Sequence, residues 1–317
     1  MNGSTKILRK ERDKIKRIVW TATRAALEAS QSKYKRNGRK SKSHWSLFEK
    51  FLGVFKIFLK LFGYYEKGVS NAQNIEINKI DLYFKSLPLS FDGFTILHLS
   101  DLHIDSLPGQ EDKIIEKISN LKYDICLLTG DYRKNTSGSF KSILKPLIKL
   151  TKAINPLYGK WAVLGNHDTY RMAEYEKGIG VNLLINETAE INNGTDKIHI
   201  TGTDDPFSYF NEDEIFALEK SISGFKIAMV HTSELRDIAE TNNYDLYLCG
   251  HTHGGQICLP NKKAIISHQF EGQRYIKGIW KYKEMTGYTN KGAGVSGLTV
   301  RFNCPPEIAI ITLHPKS

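Results

Sequence analysis

The chain has 317 residues, 40% hydrophobic and 25% charged, with a formal net charge of +11. Residues 1–46 carry 14 basic and 3 acidic side chains, and the other 31 of each sign cancel, so the surplus sits in an N-terminal arm and argues against a core built to grip nucleic acid. Four cysteines in so long a chain do not make a disulfide framework. Cys126 and Cys249 fall in apolar runs as small core residues, which fits a reducing compartment.

In chain order, Ile7, Leu8, Ile15, Ile18, Val19 and Trp20 among lysines and arginines predict a basic amphipathic helix over 5–29. Residues 30–46 lack an apolar period, and Ser30 through Ser43 has the composition of a flexible linker. Over 47–63, Phe48, Phe51, Leu52, Phe55, Phe58, Leu59 and Phe62 recur at three- and four-residue spacing, interrupted by Lys50, Lys56 and Lys60. A span needs about 20 mostly apolar residues, so this helix lies on an anionic bilayer surface or docks on a protein core. The expected layout is a basic arm (1–46), an amphipathic helix (47–70) and a catalytic domain (71–317). Residues 1–63 are expected to hold it peripherally on the inner face of the cell membrane, with no secretory signal.

Strands are expected near 78–84, 94–99, 124–129, 160–164, 197–202, 225–230, 245–249, 256–259 and 307–313, with helices over 110–120, 138–152 and 211–221. Their alternation predicts an α/β class.

Five segments follow such apolar runs: Asp101 to His103, Gly130-Asp131, Gly165 to Asp168, His231, and Gly250 to His253. Any one of these polar residues serves equally well as a turn-former or cap. Five sets at successive strand ends converge on one edge of a sheet, where open α/β folds place their sites. Imidazole, carboxylate and amide donors without thiolate suit manganese, iron, zinc, cobalt or nickel better than calcium or magnesium alone. Asp131, the sole ionisable residue of its segment, is the natural bridge between two cations. Two cations about 3.5–4 Å apart can neutralise the attacking and leaving oxygens of a displacement at phosphorus, so the expected reaction is phosphoester hydrolysis. His98 and His199 are read as structural.

In order and content these segments resemble the calcineurin-like metallophosphoesterase superfamily, over roughly residues 75 to 313. The resemblance implies a four-layer αββα sandwich of two mixed sheets. It also implies two divalent ions, manganese first: one held by Asp101, His103, Asp131 and His253, the other by Asp131, Asn166, His231 and His251. His167 would contact the scissile phosphate and protonate the leaving oxygen, oriented by Asp168. Gly254 to Ile257, Gly292 to Ser296 and Leu298 to Ile308 are similar to a membrane-associated bacterial branch that includes a UDP-2,3-diacylglucosamine pyrophosphohydrolase of lipid A synthesis. Thr299 stands where that branch commonly has proline. The expectation is hydrolysis of a nucleotide-lipid, releasing UMP, with Arg133, Lys134, Arg171 and Arg301 as candidate diphosphate contacts and Tyr132 and Tyr170 beside them. The alternatives are a general phosphodiesterase, phosphatase or nuclease of the same superfamily, and a scaffold without catalysis, which would have lost ligands that are intact here.

Overall fold

Alternation along the inner strands gives each sheet two faces to bury. The computed structural model describes residues 3–30, 45–265 and 273–316, with side chains from Lys14 in the first helix and from Lys50 in the second. Three helices come first: α1 (Gly3–Ser30), α2 (Trp45–Leu61) and α3 (Tyr64–Gln73). Then follow β1 (Glu76–Phe84), β2 (Phe94–Leu99), α4 (Gln110–Ile118), β3 (Ile125–Leu128), α5 (Lys141–Ala153), β4 (Lys160–Ala162), α6 (Glu176–Ile179) and β5 (Asn182–Leu183). The second half holds β6 (Glu187–Asn193), β7 (Asp196–Gly202), α7 (Glu212–Leu218), β8 (Lys226–Met229), α8 (Arg236–Thr241), β9 (Leu246–Cys249), β10 (Gly278–Tyr282), β11 (Met285–Thr289) and β12 (Glu307–Pro315).

The strands form two mixed six-stranded sheets, ordered β1-β12-β2-β3-β4-β5 and β10-β11-β9-β8-β7-β6. Their inner faces meet in one core: Ile96, Ile125 and Leu127 from the first sheet pack with Ile200, Ile227, Met229 and Leu248 from the second. The alternate residues Leu97, Leu99, Cys126 and Leu128 point outward, under Ile114 and Ile118 of α4 and Ile143, Leu147 and Leu150 of α5. On the far side Ala228, Tyr247 and Cys249 lie under Leu218 of α7 and Ala239 of α8. The result is the expected helix, sheet, sheet, helix layering.

The differences have local causes. No strand forms over 256–259, where Ile257 and Cys258 make only isolated bridges to Phe302 and Ala264. Gly254, Gly255 and Gln256 all have positive φ, and a left-handed backbone cannot continue as a strand. The β10-β11 hairpin turns through Lys283 at φ 48°, without the Asn-Gly or Asp-Gly pair that marks such turns in sequence. On the edge strand β6 only Ile191 is buried, too little apolar alternation to read.

The N-terminal helix forms where its apolar spacing places it, and it is docked. Expected as an amphipathic helix within a basic arm, α1 packs on the sandwich, with Trp20 in the outer core of the first sheet and Arg24 at 1% exposure. Arg17 donates to the Leu183 carbonyl at 3.1 Å. Positions 31–43 of the expected linker lie outside the described residues. On α2, Leu59 is buried against Leu298 and Val300, with Phe55 packed beside them. Phe51, Val54, Ile57, Phe58, Leu61 and Phe62 cover an adjoining face that is exposed. Among the described residues no helix is long and apolar enough to cross a membrane.

Candidate metal centre

Each strand that carries a candidate ligand ends at the same edge. Asp101 and His103 follow β2, Asp131 follows β3, and Asn166 to Asp168 follow β4; His231 follows β8, and His251 and His253 follow β9. The first sheet thus supplies one side of the cluster and the second sheet the other. Three sets bring ligand atoms within 4.8 Å of one another: Asp101 with His103 and His253, Asp131 with His231 and His251, and His103 with Asp131 and His167.

The backbone is bent to make this possible. Asp101, His103, Asp131, His251 and His253 have φ of 48°, 34°, 59°, 70° and 50°, a left-handed conformation that costs on the order of 1 kcal/mol for a non-glycine residue. Concentrated at one edge, it turns each side chain back toward its neighbours as the strand ends. At Gly165 a Cβ would run into the Asp131 carboxylate, and at Gly250 into Ser100 and the Asp101 carboxylate. Both glycines let a neighbouring backbone close on the cluster.

Hydrogen bonding fixes the tautomers and exposes what the cluster lacks. His231 Nδ1 donates to the Thr129 carbonyl at 2.7 Å. In the neutral ring the Nε2 lone pair then faces Asp131 Oδ2 at 3.3 Å and Asn166 Oδ1 at 3.1 Å. His103 Nδ1 donates to the Arg133 carbonyl at 2.8 Å, which aims its Nε2 lone pair at His253 Nε2, 3.0 Å away; His253 Nδ1 accepts from Arg301 Nη2 at 3.2 Å, so that neutral ring keeps its proton on Nε2. Around His231 acceptors therefore face acceptors in a buried site, which calls for positive charge between them. The titration behaviour points the same way. His231 is raised well above its usual range: burial opposes its charge, but Asp131, Asp101 and Asp205 overcome it. Burial opposes the charge of Asp131 too, yet His231, His167 and His103 hold that carboxyl well below normal. Asp101 is pushed up to about 7 by burial and by the charge of Asp131. Neutral imidazoles, carboxylates and one amide oxygen are a donor set for a divalent first-row metal.

Residues 94–255 match the family model described as calcineurin-like phosphoesterase. The chain belongs to that family. It is 32% identical over 251 residues to YkuE, an uncharacterised metallophosphoesterase of Bacillus subtilis, covering 75% of this chain and 85% of the relative. To YkoQ of the same organism it is 28% identical over 253 residues, covering 76% and 92%. To the phosphodiesterase YaeI of Escherichia coli it is 29% identical over 237 residues, covering 69% and 82%. The chain is a metallophosphoesterase, hence a hydrolase.

Several site expectations for this phosphoesterase are corrected by its structure. Asp168 was expected to orient His167, but its carboxylate holds backbone: Oδ2 accepts from Asp131 N and Gly165 N, both at 2.8 Å, and Oδ1 from Tyr132 N at 2.9 Å. His167 Nδ1 instead pairs with the Lys134 carbonyl, while its Nε2 lies 3.9 Å from Asp131 Oδ2. Arg301 is not a surface phosphate contact. It is wholly buried, and its guanidinium donates to the carbonyls of His253, Lys291, Gly292, Gly294 and Cys304. Arg133 is 3% exposed and likewise clamps backbone, at His167 and Gly138. Arg171 keeps an exposed guanidinium, bonded to the Tyr170 hydroxyl at 3.2 Å. Tyr132 is buried, its hydroxyl on the Val163 carbonyl at 2.9 Å. His98, as expected, is internal, bonded to Thr129 Oγ1 at 2.9 Å.

Two supporting residues lie outside the sequence motifs. Ser100 donates to Asp101 Oδ2 at 2.6 Å, and the Phe207 ring packs on His251 with centroids 4.3 Å apart. Ser100 adjoins the first motif and could have been suspected as its neighbour. Phe207 carried no signal, because only the fold brings it to the cluster.

Proposed function

We propose that the chain is a dinuclear metal-dependent hydrolase of a phosphodiester or pyrophosphate bond in an amphiphilic, membrane-associated substrate, with UDP-2,3-diacylglucosamine as the leading candidate. The observation that carries the hydrolytic reading is the set of inward-facing acceptors of Asp131, Asn166 and His231, with Asp101, His103, His251 and His253 gathered around it. Asp101, His103, Asp131 and His253 would hold one divalent ion, and Asp131, Asn166, His231 and His251 the other, manganese being the first choice. When bound, such ions supply Lewis acidity and lower the pKa of bound water. The chain's own part is to position and to move a proton. His167 reaches the cluster from the Gly165–Asp168 turn, its Nδ1 held by the Lys134 carbonyl. That tautomer leaves Nε2 to exchange a proton with the leaving oxygen once the ring is charged. Asp168 keeps the turn and Asp131 in register through three backbone bonds.

The membrane reading rests on α2. Its exposed face carries Phe51, Val54, Phe58 and Leu61, continued by Phe62 just past its end, while Lys56 and Lys60 flank the docked side near Tyr65. An aromatic face beside lysines suits the headgroup region of an anionic bilayer, on the cytoplasmic side for this reading. A second reading, a general phosphodiesterase, is favoured by the name of the YaeI relative.

The test is UMP release from UDP-2,3-diacylglucosamine by the purified manganese-loaded chain, beside a water-soluble UDP-sugar and bis(p-nitrophenyl) phosphate. Release from the lipid alone supports the lipid reading. Comparable cleavage of all three supports the general one, and cleavage of none overturns both.

A further inference from the structure

Two residues of α1, one helical turn apart, reach the loop that carries Asn166 and His167. The Gly165–Asp168 turn is closed by Asp168 N donating to the Gly165 carbonyl at 3.1 Å. On its outer side, Arg24 Nη2 donates to both end carbonyls, Gly165 at 3.3 Å and Asp168 at 3.2 Å. The rest of the guanidinium is fully engaged: Nη1 pairs with Asp204, Nε with Glu28 at 3.1 Å, and its plane lies 3.4 Å from the Tyr209 ring centroid. Glu28 continues the grip, accepting from Thr169 Oγ1 at 2.6 Å and Tyr170 N at 2.8 Å. The turn is therefore held from inside by the Asp168 carboxylate and from outside by a cation brought in from 141 residues away in sequence.

We propose that Arg24 is a positioning residue for the hydrolytic centre, setting the Gly165–Asp168 turn so that Asn166 and His167 meet the metals and the substrate; this rests on the dinuclear reading above. Only a planar fork spans two carbonyls while pairing with two carboxylates, a task one ammonium cannot reproduce. Trp20 fixes the same anchor by donating to Asp204 Oδ2 at 2.7 Å. The basic N-terminal helix is thus a working part of the catalytic domain.

The test uses full-length Arg24→Ala and Arg24→Lys, assayed with manganese on bis(p-nitrophenyl) phosphate, beside a manganese titration followed by electron paramagnetic resonance. Arg24→Ala is expected to lower kcat about 100-fold, the scale of a 1 Å misplacement, with KM within about threefold of wild type. One manganese should bind roughly tenfold more weakly, as Asn166 shifts from its place, a typical cost of disturbing a ligand's support. Guanidinium at roughly tens of millimolar should restore part of kcat where ammonium does not, because the planar fork is what is missing, and Arg24→Lys should stay well below wild type. Unchanged kcat per folded molecule together with unchanged manganese affinities would overturn the proposal, as would equal rescue by ammonium. Where Arg24→Ala does not fold, Arg24→Lys and Glu28→Gln carry the same comparison. If wild type binds two manganese ions but cleaves no phosphodiester, the activity reading fails while the titration still decides the role of Arg24. If it binds none, the dinuclear reading itself falls, and Arg24 with it.

Discussion

Replacing Arg301 by methionine separates a residue that holds the fold from one that holds substrate. The substitution keeps most of the stem's volume and removes a guanidinium whose donors serve five backbone carbonyls, those of His253, Lys291, Gly292, Gly294 and Cys304. Each hydrogen bond to a charged group is worth about 1.5–3 kcal/mol net. The sum is an overestimate, because burial also works against the guanidinium, whose pKa it pulls down. Stranding buried partners of a lost charge costs about 3–5 kcal/mol, which at about 2–4 °C per kcal/mol lowers Tm by roughly 6–20 °C. The loop it ties, through Ala293 N to the Ser100 carbonyl at 3.0 Å and Gly294 N to the Asp101 carbonyl at 2.9 Å, lies directly against a candidate ligand. Metal retention should therefore weaken with stability, while KM for a soluble phosphodiester, measured on folded protein at low temperature, should stay close to wild type. Differential scanning calorimetry and steady-state kinetics decide the matter. A Tm within about 2 °C of wild type, less than 1 kcal/mol on that scale, combined with a tenfold rise in KM, would return Arg301 to the substrate and refute the structural argument.

Other substitutions probe the cluster and its surroundings. His167→Ala should keep its metal stoichiometry and lose about 10²–10⁴ in kcat, as for a removed general acid, whereas Asp131→Ala should lose metal as well; elemental analysis beside kinetics separates them. Asp168→Ala should also shed metal, because its carboxylate secures the backbone of Asp131 and Gly165; full metal content with reduced turnover would point to the imidazole-orienting role instead. His98 is held down to about 3 by burial, below its unfolded value of about 6.5. Its contribution to stability is present above pH 6.5 and lost as pH falls toward 3. His98→Gln should flatten the denaturation-midpoint profile across that window by up to about 1.4 kcal/mol per pH unit, and an unchanged slope would count against it. Phe58→Asp with Phe62→Asp should leave Tm and soluble-substrate activity intact and reduce sedimentation with phosphatidylglycerol vesicles; unaltered vesicle binding would remove α2 from the membrane reading.

The catalytic strands were legible because burial on both faces leaves short, uninterrupted apolar runs such as Ile125 to Leu128, each stopped by a glycine or a ligand. The cluster was legible for the same reason, since strand ends in such folds meet at one edge. What escaped was whatever depends on side chains meeting across the fold. Nothing local to Arg301 reveals that its charge lies among backbone carbonyls, and a basic residue in a loop reads as solvated. Asp168 beside His167 suggests a pair, yet the turn directs the carboxylate inward to three amides. Trp20 and Arg24 belong to a helix whose many lysines and arginines mask its one docked face. On β6 and β10 the turn chemistry and the apolar alternation were too weak to distinguish an edge strand from a loop.

The candidate ligands arrive from both sheets, Asp101, His103, Asp131 and Asn166 from one and His231, His251 and His253 from the other. A cation seated among them would therefore act as a clasp across the open rim of the sandwich, where the two sheets are otherwise joined by loops. Its binding free energy would add directly to cohesion, by about 2.7 kcal/mol when the ion stands at a hundred times its Kd. Chelation would then do more than stop turnover. It would leave carboxylates and imidazoles to repel or protonate at the rim, and local opening would begin there, measurable as faster amide exchange at the ends of β2, β3, β8 and β9 while the middle of each sheet stays protected.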